Sequence, residues 1–315
     1  MRKVGFILSL MFIALFVFTM QSYACSTCGC TVCQLGKGDG QDSDQKWYIR
    51  YVYDQLVWRE KSAERQNGLI NDDHDVHDKT TDITHHYEIG RHITDDFNLM
   101  VDVPYMVRSA IEIENLDNLG AKQTSKGLGD VQLLGDYRFW HNDHNGVSLA
   151  GGVKFPTGDT HRKSFQGDRF ETDMQPGSGA YNYIVGGIYK FQIDRFSVTA
   201  NASRVFTTKG AQGFEYGDLF TASLYGDYLI NPNAKNFQTR IGLDSVFQDE
   251  WKEKTNGEKN PDSGGQTVLM GPAIRINANK NLSFTGTFLY PISQELSGFT
   301  QEQGFEWTLG TEVKF

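Results

Sequence analysis

Four cysteines fall within nine residues, as Cys25-x-x-Cys28-x-Cys30-x-x-Cys33, and the rest of the 315-residue chain has none. Thiolates this close can wrap a soft metal ion such as Zn²⁺ or Cu⁺, or an iron–sulfur centre. C-x-x-C pairs also exchange as redox dithiols. An even count in an oxidising compartment equally permits two disulfides, and Cys25 follows a small-residue exit that leaves its lipidation open. No His follows Cys28 or Cys33, which excludes a c-type haem attachment. A second group, His74 and His77 among Asp72, Asp73, Asp75 and Asp78, has the ligand types for a divalent cation. Nothing frames it rigidly, and it reads as a solvated acidic loop.

A third set is spread along the chain at alternate positions: Arg50, Asp54, His86, Glu88, Asp102, Asp136, Arg138, Lys154, Arg240, Asp244 and Arg275. Alternate residues of a strand share a face. These ionisable groups are therefore expected to look inward and line a polar lumen along which a solute passes, with His92 on the same face.

The elements that position them show a period of two. Phe305, Trp307, Leu309, Val313 and Phe315 alternate with Glu306, Thr308, Gly310, Glu312 and Lys314. Twelve such segments are expected, at about 46–58, 81–93, 96–109, 126–140, 146–156, 179–191, 195–207, 214–230, 236–249, 265–277, 281–292 and 301–315. Short turn-like links (Thr94-Asp95, His141 to Asn145, Gln192 to Asp194, Asn231 to Lys235, Ala278 to Lys280) take turns with long polar ones at 59–80, 110–125, 157–178 and 250–264. That layout, with aromatics crowding the strand ends, predicts an all-β, membrane-spanning, antiparallel up-and-down β-barrel of about twelve strands. Trp47, Phe97, Phe139, Trp140, Phe191, Phe196 and Phe237 form one aromatic belt. Trp58, Phe155, Tyr181, Tyr183, Phe214, Tyr216, Phe247, Trp251 and Trp307 form the other. A soluble sandwich would also alternate, yet it has no reason for unequal links or for so many ionisable groups on one face.

The segment before the barrel sets the compartment. Arg2 and Lys3, an apolar run from Val4 to Met20, and small Ser22 and Ala24 read as a cleaved secretory leader at 1–24. Residues 25–45 are then a Cys-rich periplasmic tail with a Gly-rich end, and 46–315 the barrel. Beyond the leader no apolar stretch approaches the ~20 residues of a membrane helix. Acidic residues outnumber basic ones, 39 to 30, with no Lys/Arg run, which excludes a nucleic-acid binder. A mean hydropathy of −0.46 does not exclude a membrane, because alternation averages a lipid face against a charged lumen. The expected location is the outer membrane of a Gram-negative bacterium. The expected partners are outer-membrane lipid, a small-molecule solute, and a periplasmic protein reached through the tail.

Gly127-Leu128-Gly129-Asp130-Val131, running on to Tyr137-Arg138-Phe139, and Gly152-Val153-Lys154-Phe155-Pro156-Thr157-Gly158-Asp159 form a pair of motifs. They resemble the signature of the outer-membrane family known from meta-pathway phenol degradation clusters. The resemblance covers about thirty residues of the fourth and fifth segments and implies an outer-membrane barrel that passes small, often aromatic or hydrophobic, compounds. An acyl-transfer barrel would need a His-x-Ser pair on one strand. His161-Arg162-Lys163-Ser164 has the wrong spacing and lies in a loop, so no enzyme is expected. The functional expectation is a passive channel. The alternative is a barrel that anchors a periplasmic Cys cluster (Cys25, Cys28, Cys30, Cys33) holding a soft metal or serving a redox or structural role.

Overall fold

The computed structural model describes residues 46–59, 77–115, 118–298 and 300–315. The leader, the cysteine tail and most of the His74/His77 loop lie outside the described residues. Twelve antiparallel strands make one closed sheet. They are β1 (Trp47–Arg59), β2 (His77–His92), β3 (Phe97–Asn115), β4 in two halves (Asn118–Leu128 and Gln132–His141), β5 (Asn145–Lys154) and β6 (Asn182–Ile193). Then come β7 (Phe196–Phe206), β8 (Leu219–Leu229), β9 (Gln238–Glu250), β10 (Gly265–Asn277), β11 (Leu282–Leu296) and β12 (Glu302–Lys314). Each strand pairs with its sequence neighbours, and β1 pairs with β12 to close the ring. At that seam Trp47 and Phe315 exchange both backbone hydrogen bonds, at 3.1 and 2.9 Å. Among the described residues no helix is long and apolar enough to cross a membrane; this barrel crosses with strands.

Closure follows from the solvent. Hydrocarbon supplies no partner for a backbone N–H or C=O, so a sheet in lipid must leave no edge. The outward side chains match that solvent: Ile49, Ile89, Leu133, Leu149, Val185, Leu224, Leu243, Ile274 and Leu309 are exposed all round the barrel. A water-facing protein does not expose an apolar band of that extent. Exposed aromatics mark its edges, with Trp47, Tyr137, Phe139, Trp140, Phe196 and Phe237 at the short-turn end. Tyr181, Tyr183, Trp251 and Trp307 mark the long-loop end. The short turns use residues that tolerate left-handed backbone, as at Asp194 (φ 50) between β6 and β7.

Three expectations are corrected. Residues 110–125 are not a polar link, because β3 runs on to Asn115 and β4 starts at Asn118. Along this extension Gln123 and Ser125 are buried while Lys122, Thr124 and Lys126 are exposed. The β4 half of the hairpin therefore presents a polar outer face, as a strand does beyond the lipid, and hydrophobic alternation vanishes along it although the strand continues. Second, Trp58 and Tyr216 leave the aromatic belt. Trp58 lies opposite Thr80 on the inner face, and its indole N–H donates to Asp82 at 3.0 Å. Tyr216 is buried in the β7–β8 loop, its hydroxyl donating to the carbonyl of Thr172 at 2.9 Å. Third, the segment expected at 214–230 starts as a strand only at Leu219. Phe214–Glu215 pairs instead with Lys254–Thr255, which also pairs with Glu258–Lys259, in a small sheet of loop residues.

The lipid face makes a direct prediction. Leu149 is 61% exposed near the middle of β5, so Leu149→Arg should cost about 2–4 kcal/mol in urea unfolding from lipid vesicles. Lys126→Leu, on the extended hairpin, should change that stability by less than about 1 kcal/mol.

Candidate functional site

The inner face is organised along the hydrogen-bond direction. Strands of a barrel tilt against its axis by roughly 35–45°, so a row of residues in register across neighbouring strands climbs the wall as a helix. One such row is apolar. It runs Tyr48, Gly90, Met100, Leu134, Gly152, Ile184, Val205, Leu219 over eight consecutive strands. It begins beside the short turns on β1 and ends beside the long loops on β8. Its six side-chain-bearing members form one buried cluster with Ala150 and Ile188. Gly90 is required where the Tyr48 ring crosses it, since a Cβ there would sit 2.0 Å from the ring carbon Cζ.

Polar rows flank this lane on both sides. Toward the long loops runs Glu312, Arg50, Glu88, Asp102, Gln132, Lys154, Asn182. Arg50 donates to Glu88 at 2.8 Å and to Glu312 at 2.7 and 3.0 Å. Asp102, with no exposed surface, takes hydrogen bonds at one oxygen from His86 Nδ1 at 2.9 Å and Gln132 at 3.3 Å. The other carboxylate oxygen of Asp102 and Oε1 of Glu88 are buried without a partner among the described residues. Toward the short turns runs His92, Asn98, Asp136, Ala150, Gly186, Ser203, Thr221. There Asn98 donates to the Tyr48 hydroxyl and to Asp136, both at 3.1 Å.

The remaining expected residues are less unified. Arg138 reaches down to the β2–β3 turn, donating to Asp96 at 2.8 Å and to the Asp95 carbonyl at 3.0 Å. Asp54 accepts from Thr308 at 3.4 Å and Asp244 from Thr287 at 3.3 Å. Arg240 and Arg275 stand directly opposite one another near the short turns and both bind Asp227. Asp227 was not among the expected residues, nor were Asp82 and Arg108, whose fork-to-carboxylate pair at 2.5 and 2.8 Å sits inside the extended end of the wall. The parity that marks His86 and Glu88 also marks Asp82, so that signal was present. Among the described residues no group of three or more His, Cys, Asp or Glu is arranged to hold a metal ion. The four cysteines lie outside the described residues.

The long-loop end is narrowed by the segment between β5 and β6. Its Phe170 and Met174 pack on Ala110, which faces inward from β3, so the segment bends into the mouth. What pins it is the signature motif. Pro104 on β3 has no N–H to offer, and opposite it β4 breaks between Leu128 and Gln132. The break frees Asp130 from the ladder. Its carboxylate, 1% exposed, accepts from Gly158 N and Ser178 N at 2.9 Å each and from the Ser178 hydroxyl at 2.6 Å. Gly158 meets Gly177 so closely that a Cβ on either would come within 2.6 Å of the other's Cα. Gln175 ties the interior of the segment, accepting from Arg162 N at 2.9 Å and donating to the Phe170 carbonyl at 2.8 Å. The two motifs are thus the two halves of one latch.

A closed twelve-stranded barrel, apolar outside and ionised within, defines a β-barrel of the Gram-negative outer membrane. The profile of the family described as "Putative MetA-pathway of phenol degradation" matches residues 80–309, and the chain belongs to that family. Among solved structures the fold is similar to the COG4313 outer membrane channel from Pseudomonas putida F1. The TM-score is 0.62 at 15% identity, over 88% of this chain and 98% of that one. It is also similar to the beta domain of the Bordetella autotransporter BrkA, with TM-score 0.52 at 10% identity, over 86% and 100% of the two chains. The transport unit of the autotransporter AIDA-I from Escherichia coli matches with TM-score 0.50 at 13% identity, over 90% and 97%. These likenesses are of fold. No curated protein matches the sequence.

The latch yields a second prediction. Asp130→Asn keeps the size but replaces one acceptor oxygen by a donor facing donors, costing the segment roughly 1.5–3 kcal/mol of local stability. Trypsin should then cut at Arg162, Lys163 or Arg169 several-fold faster than in the wild type, while the barrel keeps its heat-modifiable electrophoretic mobility.

Proposed function

We propose that the protein is a passive outer-membrane channel for small apolar or aromatic solutes, with chain termini and short turns on the periplasmic side. The observation that carries this is the apolar lane from Tyr48 to Leu219, which spans the wall from one mouth to the other between two polar rows. A solute with an apolar body can slide along the lane by replacing one apolar contact with the next. A hydroxyl or similar group on it finds donors and acceptors on either side, such as Gln132 and Asn98. That pairing avoids the cost of stripping water from a polar group without replacing its hydrogen bonds, which reaches several kcal/mol in an apolar site.

Met100 and Leu134 have no exposed surface, so the lane is covered in this structure. Passage requires the groups packed over it to move aside. The latched β5–β6 segment sits at the mouth where the lane ends, which suits it to control entry. Family membership and the resemblance to a solved outer-membrane channel support the channel reading at the level of class.

The test uses vesicles whose outer leaflet carries lipopolysaccharide, because phospholipid alone lets small aromatics through. Influx of phenol should be faster with the protein than without it. Ile184→Arg, which puts a charge in the lane, should slow the protein-dependent influx by about tenfold or more, since ~1.4 kcal/mol of added barrier already gives that factor. Influx equal to that of protein-free vesicles would overturn the proposal.

A further inference from the structure

The charges of the inner wall balance in most places. Arg108 faces Asp82, Arg138 faces Asp96, and Arg50 with Lys314 faces Glu88 and Glu312. One cluster does not balance. Arg240 and Arg275 are directly opposed across β9 and β10, and both bind the same carboxylate. Arg240 Nη1 reaches Asp227 Oδ1 at 2.8 Å and Arg275 Nη1 reaches Asp227 Oδ2 at 3.1 Å. The side chains are only 12% and 19% exposed, so one positive charge is left over in a largely enclosed site. The Nε of Arg275 is moreover buried with no acceptor.

Nothing nearby in the described chain supplies the missing acceptor. The residues in register around the pair are Thr285 beside Arg275, Gly242 and Ala273 on the row toward the long loops, and Gln238, Asn277 and Ser283 on the row toward the short turns. None is acidic. Asp244 lies one row beyond Gly242 and is engaged by Thr287, not by either guanidinium. Like charges directly opposite on a sheet destabilise it, and an uncompensated buried charge costs several kcal/mol. A site of this kind is stabilised by an anion that completes it.

We infer that Arg240, Arg275 and Asp227 form a binding site for the carboxylate of a small organic acid at the short-turn mouth of the lumen. Two planar forks offer paired donors that match carboxylate geometry, and the surplus of one charge fits a monoanion. The inference rests on the channel reading in one respect, that the site lies on the solute's route. It extends that reading from neutral aromatics to their carboxylates, which would pause here on leaving or entering the periplasmic end.

Binding is tested apart from transport. Sodium benzoate is titrated calorimetrically into the full-length protein in detergent, with sodium chloride and benzyl alcohol in parallel. Benzoate should bind and benzyl alcohol should not. Arg275→Gln and Arg240→Gln should each weaken benzoate binding by about tenfold or more, the scale of one charge-assisted hydrogen bond. Arg275→Lys keeps the charge without the fork and should recover part of the loss. Heat-modifiable mobility confirms that each variant is folded, and Arg91→Gln, on the outer face, serves as the control that leaves binding unchanged. Equal binding of chloride and benzoate would overturn the carboxylate site in favour of a simple counter-ion. So would absence of benzoate binding, or binding indifferent to both arginine variants. A wild type that binds benzoate yet gives no phenol influx would overturn the channel reading and leave the site standing.

Discussion

Everything in this molecule depends on the requirement that no backbone polar group meet hydrocarbon unpaired. That constraint closes the sheet, and closure makes the β1–β12 pairing obligatory. Closure also fixes the register all round the ring, since each strand must pair on both sides. The tilt that accompanies closure turns every row of in-register residues into a helical stripe on the inner wall. The apolar lane and its polar borders are thus properties of the sheet as much as of any residue. A one-residue slip in any strand would cut the lane and turn its apolar members outward.

The family signature looks, as a string, like a set of glycines with an acid between them. Its physical content is a defect placed on purpose. A proline without a donor sits opposite a break, the break releases one aspartate, and the aspartate holds the base of a loop that bends into the mouth. The glycines at 158 and 177 permit the backbone approach that lets one carboxylate reach both ends of the loop. The wall and the anchor of the loop are in this way cut from the same strand.

Much of the architecture was legible because lipid imposes a simple code. Where one face of a strand meets hydrocarbon, residues such as Leu309 and Val313 announce it, and their neighbours Thr308 and Glu312 must then look inward. The code fails where its cause is missing. Lys122, Thr124 and Lys126 face water, so the strand they lie on carried no apolar signal and read as a loop. Trp58 read as a belt residue because a tryptophan near a strand end usually lies at the interface; it shares the inward parity of Arg50 and Asp54, and Asp82 accepts from its indole on the inner face. Arg240 and Arg275 were visible as inward charges. That they share one aspartate depends on which strands become neighbours and in what register, and a pattern read along single segments does not contain that.

The seam has a consequence for how the barrel assembles. All other strand pairs join consecutive strands, so each can zip as its neighbour arrives. The last joins groups as far apart as Arg50 and Glu312, 262 residues along the chain. Until it forms, β1 and β12 are two open edges of a nearly complete amphipathic sheet, the kind of surface that recruits strands from other chains. Arg50 is bound to Glu312 across this seam and to Glu88 behind it, so an inner-wall ion pair also marks the register in which the two edges meet. The hazard of misassembly is gathered into one joint, and that joint carries its own lock.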